Sequence, residues 1–232
     1  MPLLEQLQGT FVNGAAIIIG ALIGLLFGRV VPERIHVVSM QGIGLAVLLI
    51  GLQMAVRSEH LLLVIFSLVL GGIAGELIGL EERLLGLGER LEKVLGKKQP
   101  QLARAFMNAT LIYAVGAMSV TGALESGLLG RHQILYAKSA LDGISAVVFA
   151  STMGIGVAFS AFPVMFYQGA IALLAGWASV FLTETVIVEF SAVGGLLIVA
   201  IGLNILQIKT LKVGNLLPAL LFNVLLVYWL AS

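Results

Sequence analysis

Eight apolar stretches recur along this chain, each near the roughly 20 residues that a helix needs to cross a bilayer. They cover about 9–28, 38–56, 61–80, 105–124, 139–160, 164–183, 190–207 and 214–231. A water-soluble domain of 232 residues could not absorb them. Hydrophobic residues make up 59% and charged residues 11%, where soluble domains carry about 25% charged. The mean hydropathy of +1.09 leaves too little polar surface to cover a globule, and chains of this size keep much of their surface exposed. Lipid is therefore the solvent for most of the chain. The expected fold is all-α, a polytopic integral membrane helix bundle with about eight transmembrane helices. It reads as a single transmembrane domain over 1–232, with the lipid bilayer as its first partner.

Charge placement orients the spans. With the N-terminus outside, the cytoplasmic loops hold Arg29, Arg34, Arg83, Arg90, Lys93, Lys97, Lys98, Arg104, Lys209 and Lys212. The external side then holds only Arg57, Arg131 and Lys138. Ten against three is a positive-inside bias. An even number of spans puts both termini outside the cytoplasm, in a multi-pass protein of the inner (plasma) membrane. Met1 to Gly28 contains no Lys or Arg, so the charged region of a cleavable signal peptide is missing.

Several function classes drop out. A net charge of +1 argues against a nucleic-acid partner, and zero cysteines exclude disulfide scaffolds, Cys-based metal sites and a Cys nucleophile. No GxSxG elbow, HExxH helix or phosphate-binding loop occurs, so the chain is not expected to be an enzyme or to need a cofactor. His36, His60 and His132 fall in loops without metal-ligand spacing and read as solvated surface.

Residues 81–99 form the one strongly charged stretch. Leu84, Leu87, Leu91, Val94 and Leu95 recur at helical spacing among Glu81, Glu82, Arg83, Glu89, Arg90, Glu92 and Lys93. This cytoplasmic amphipathic loop reads as an interfacial helix on the inner leaflet, with a partner-binding helix as the alternative.

An internal repeat is visible. Ile50-Gly51-Leu52-Gln53-Met54 resembles Ile201-Gly202-Leu203-Asn204-Ile205, with Gly44 and Leu45 meeting Gly195 and Leu196 in the same register. Asn13-Gly14-Ala15 compares with Gln168-Gly169-Ala170. The halves 9–80 and 164–231 would be separated by an odd number of crossings, which makes the repeat inverted, a recurrent plan of secondary transporters. Asn13 and Gln168 are then expected at related positions near opposite faces. The small-residue stripes Gly20/Gly24/Gly28 and Gly71/Gly75/Gly79 read as helix-packing faces, either within one chain or in a homo-oligomer.

Polar groups inside lipid are costly and need a partner or a wet cavity. They concentrate in the central helix pair over 105–160: Ser119, Thr121, Glu125, Asp142, Ser145, Ser151 and Thr152. Hydroxyls and carboxylates of this kind replace the water of an ion or small polar solute. The plainer reading is local neutralisation. Lys138 and Asp142 are four apart on one helical face, and Ser or Thr can bond its own helix. The repeat-related amides Asn13, Gln168, Gln53 and Asn204 either line the same path or bond between helices.

These residues also carry a resemblance. Gly9-Thr10-Phe11-Val12-Asn13, the run Gly116 to Leu124, Lys138 to Ala146, Phe149 to Val157, Tyr167-Gln168-Gly169 and Val213 to Pro218 resemble the bacterial YdfK/YqgA-type membrane proteins. The resemblance spans nearly the whole chain. It implies a domain-of-unknown-function family with transport suggested, and no catalytic residues. The expected function is a secondary transporter or ion pathway for a small polar solute or cation. A non-transporting membrane scaffold or sensor is the alternative.

Overall fold

The computed structural model describes residues 2–28, 32–86 and 102–231. All regular structure among these residues is helical. In chain order the helices are α1 (Leu3–Gly28), α2 (Glu33–Ala55), α3 (Leu61–Ile78), α4 (Leu102–Ala114), α5 (Ala117–Leu129) and α6 (Gln133–Met153). They continue with α7 (Gly156–Phe159), α8 (Ala161–Leu173), α9 (Ala175–Phe181), α10 (Glu184–Ile205), α11 (Val213–Leu216) and α12 (Pro218–Leu230). Most of the amphipathic loop lies outside the described residues, although 80–86 are helical.

Seven described helical segments are long and apolar enough to cross a membrane, and an eighth exists if α4 and α5 count as one span. This pair extends beyond the stretch read as 105–124, and its halves are bent by 62°. The bend falls at Gly116, whose φ of 138° lies outside the helical region and is tolerated by a residue without Cβ. The fifth span is displaced from 139–160 for a similar reason. Gly154, at φ 85°, stops α6, while the polar turn from Gln133 remains helical.

The chain forms two compact units, each discontinuous in sequence and each drawing helices from both halves 9–80 and 164–231. The first comprises Met1–Glu33 with Gly88–Val180, and the second Arg34–Leu87 with Phe181–Ser232.

In the first unit α1 packs against α6 in parallel. The side on which each glycine lacks a Cβ faces a carbonyl: Gly20 meets Gly143 O, Gly24 meets Val147 O and Gly28 meets Ser151 O. A side chain would separate the two backbones, so only glycine permits this approach. α1 also meets α8 in the antiparallel sense, with Gly14 against Met165 and Gly169 near Leu7 and Thr10. Gly127 of α5 sits on Ala172 and Ala175.

The second unit is built around α10, the most enclosed span, with 67% of its apolar window buried. α2 crosses α10 antiparallel: Gly51 and Gly195 each face the other's carbonyl, Gly51 also touches Val199, Gly202 touches Leu48, and Gly44 touches Leu206. α3 runs antiparallel to α11 and α12, where Gly71 lies on Ala219 and Gly75 on Asn215. The first stripe and Gly71 and Gly75 of the second are thus filled by helices of the same chain, whereas Gly79, at φ 65°, ends α3 instead of packing. In both units large apolar side chains such as Phe166, Trp177, Leu77 and Trp229 point outward, as lipid contact requires.

Candidate functional site

The first unit gathers polar side chains near the middle of its spans. Asn13 Nδ2 donates to Gln168 Oε1 at 3.2 Å, and Gln168 Nε2 donates to Ser119 Oγ at 3.0 Å. Asn13 and Gln168 are both fully buried, and Ser119 is 1% exposed. Instead of lying near opposite faces, Asn13 and Gln168 meet. Antiparallel packing of α1 on α8 brings matching positions of the two helices to their common contact.

Ser119 occupies the first turn of α5, directly after the break. In a continuous helix the N–H groups of residues 117 and 118 would bond carbonyls one turn back. The bend at Gly116 removes that continuity and exposes helix-end groups well inside the apolar region.

Asp142 extends this line. Lys138 Nζ lies 3.0 Å from Asp142 Oδ1 and 2.8 Å from Oδ2, so the i,i+4 pair forms as expected. The pair is buried, and its attraction must offset the loss of hydration of both charges. Asn13 also lies beside Asp142, which places its amide between the ion pair and Gln168. Ser145 donates to the Asp142 main-chain oxygen at 3.0 Å and neighbours the buried Tyr113 hydroxyl.

Other predicted residues lie apart from this line. Ser151 and Thr152 bond carbonyls of their own helix at Val148 and Phe149, as the plainer reading expects. Thr121 and Glu125 are half-buried on α5, Glu125 towards its C-terminal end. Gln53 is exposed. Asn204 closes its own loop, donating to Leu211 O at 2.8 Å and accepting from Leu211 N at 2.7 Å.

His132 requires a correction. It is 8% exposed rather than solvated, with Nδ1 2.7 Å from Ser126 Oγ, which in turn donates to Gln6 O. A loop position gave no sign of this burial, because the contact comes from α1 and α5.

In the second unit sequence reasoning passes over Glu189, whereas it reads Glu81 and Lys212 as loop charges. Glu189 is fully buried and accepts from Ser58 Oγ at 2.6 Å and from the N–H groups of Glu59 and His60 at 2.7 and 2.9 Å. It thereby caps the start of α3 from another helix. At the other end of α3, Glu76 pairs with Lys212 at 2.6 Å and accepts from Asn215 Nδ2 at 2.6 Å. Glu81 accepts from Gly214 N at 2.5 Å, and its own N–H donates to Asn215 Oδ1. The Glu76 carboxylate holds the Lys212 ammonium above its ordinary pKa. Among the described residues no group of three or more His, Cys, Asp or Glu side chains is placed to hold a metal ion.

With this geometry in hand, the chain can be compared with known proteins. Residues 8–228 match the family described as "Protein of unknown function (DUF554)". The chain belongs to this family. It is 34% identical over 224 residues to the uncharacterized membrane protein YdfK of Bacillus subtilis (strain 168), covering 95% of each chain. It is 33% identical over 218 residues to the uncharacterized protein YqgA of Escherichia coli (strain K12), covering 92% of this chain and 93% of that one. No solved structure matches it significantly. The family is thus the one that its motifs resemble, and the membrane protein YdfK agrees with the several candidate spans of this chain.

Proposed function

We propose that this protein is a small secondary transporter or ion pathway for a small polar solute or cation, and not an enzyme. Its site would comprise Asn13, Gln168, Ser119 and Asp142. One observation carries the reading: a buried polar line runs from Asp142 through Asn13 and Gln168 to Ser119 and ends at a broken span. Polar groups at such depth cost folding energy unless something uses them, and discontinuous helices with exposed ends are how transporters bind solutes near the midplane.

The contact register supports an inverted repeat beneath this site. Exchanging Asn13 with Gln168, which are 155 residues apart, also exchanges the Gly14–Met165 contact with the Thr10–Gly169 contact. Within the second unit one constant offset exchanges Gly51–Val199 with Gly202–Leu48, and Gly44–Leu206 with Gly195–Ala55. Antiparallel packing alone makes contacts reciprocal in this way; what favours a repeat is that the exchanged residues also match in type, glycine with glycine at 51/202 and 44/195 and amide with amide at 13/168.

The test is uptake into proteoliposomes of radiolabelled sodium, rubidium and a panel of small amino and hydroxy acids. Flux above that of empty vesicles, lost in Gln168→Leu, is the expected result. Folded, correctly inserted protein that moves none of these probes while copurifying with a protein partner would favour the scaffold reading.

A further inference from the structure

Thr10 Oγ1 and Asn13 Oδ1 are buried oxygen atoms without a hydrogen-bond partner, as are Asp142 Oδ2 and the Tyr113 hydroxyl of the same unit. Thr10 is 2% exposed and Asn13 fully buried. They lie three residues apart on α1, so both oxygens fall on neighbouring parts of one helical face. This face is turned towards α8: the Thr10 methyl lies near Gly169, and Asn13 bonds the adjacent Gln168. An amide oxygen can only accept. In an apolar interior, leaving it and a hydroxyl oxygen unpaired costs about 1–3 kcal/mol each.

The chemistry of a ligand follows from what these atoms are. Neutral hydroxyl and amide oxygens, joined by the remaining lone pair of Gln168 Oε1, suit a hard cation. A divalent ion would need carboxylates, and the charge of Asp142 is already neutralised by Lys138, whose Nζ lies 2.8 Å from Oδ2. A monovalent ion carries a charge that neutral oxygens can hold.

We infer that Thr10, Asn13 and Gln168 form a sodium site whose occupancy supports solute binding along the adjacent polar line. The inference deepens the transport reading by naming its coupling ion. Sodium would satisfy the unpaired oxygens of Thr10 and Asn13, and it would tie α1 to α8 at the contact on which the proposed repeat turns.

The experiment uses the full chain in detergent and reads thermal unfolding against NaCl, with choline chloride holding ionic strength constant and KCl as the competing ion. Ligand that binds the folded state raises the unfolding temperature in a saturable way. Sodium is expected to do so more strongly than potassium, and choline not at all. Thr10→Val keeps the shape and removes the hydroxyl. In choline it should unfold at a temperature no lower than the native protein, since the unpaired hydroxyl is gone, but it should raise the half-saturating sodium concentration by about tenfold. Thr10→Ser keeps the oxygen and should keep the response. Equal unfolding temperatures in sodium and choline would overturn the inference, as would an undiminished sodium response in Thr10→Val. The readout requires no flux. Loss of the sodium effect leaves transport standing, while sodium binding without flux of any probe would remove the transport reading alone.

Discussion

The two units handle polar groups in opposite ways. In the first, amides, a hydroxyl and an ion pair gather near the middle of the spans, where Asn13 bonds Gln168 across helices and Asp142 pairs with Lys138 beside them. In the second, most ionic groups sit at helix ends: Glu189 caps α3, while Glu76 and Glu81 tie its far end to Asn215. The middle of the α2–α10 crossing is a glycine contact. End groups have unpaired main-chain N–H and C=O to satisfy, so a carboxylate there needs no further purpose. Mid-span groups have no such duty. Position along the helix therefore separates the structural candidates from the functional ones better than residue type does.

The largest effects should be common to both units, because both rest on glycine contacts. Gly24→Leu and Gly75→Leu each force a side chain into the backbone of a neighbour and should cost about 3 kcal/mol or more. Gly42→Leu, where nothing lies within 4 Å, should leave the thermal melt in detergent unchanged. Equal tolerance at all three positions would dismiss the seams.

Next in size is the ion pair of the first unit. Lys138→Met leaves Asp142 buried and unpaired and should cost about 3–5 kcal/mol. Asp142→Asn should reduce flux more than stability. Adding Lys138→Met to it should recover stability while flux stays low. Recovery of both in the double variant would make the pair as structural as Glu189.

Glu189→Gln tests the second unit in the opposite direction. It weakens the bonds to Ser58 Oγ and to the N–H groups of Glu59 and His60, for an expected loss of about 1–3 kcal/mol in a thermal melt. Flux per folded molecule should be unaffected. A flux defect there would break the contrast between the units.

The smallest effect concerns Lys212. Glu76 raises its pKa above the ordinary 10.5, so its stabilisation is complete below that value and fades only as pH climbs through the raised one. The pair is half exposed and screened by salt. The stability difference between the native protein and Lys212→Met should be flat from about pH 7 to 9 and shrink above 10.5.

Much of the fold was legible because a span needs a long apolar window, which composition alone reveals. The break at Gly116 was not, since a window average is blind to one backbone torsion. Asn13, Gln168, Ser119 and Asp142 could be singled out as polar groups in lipid. Their meeting could not, because it depends on which helices become neighbours. Gln53 and Asn204 show the same limit from the other side. Their place in the repeat is as clear as that of Asn13, yet one faces outward and the other bonds Leu211. Glu189 escaped notice because it stands just before an apolar run, where a carboxylate ordinarily meets water.

The seam between α1 and α6 has a mechanical consequence. Its teeth are alike: glycine follows glycine every fourth residue on one rail, and carbonyl follows carbonyl at the same interval on the other. A slide of four residues, roughly 6 Å, would seat Gly20 on the oxygen that now receives Gly24 and Gly24 on the one that receives Gly28. It would also bring Ala16 onto the Gly143 oxygen, where a Cβ does not fit, so the rail has a closed end in that direction. Met165 against Gly14 and Gln168 clasping Asn13 pin the same register from the other side of α1.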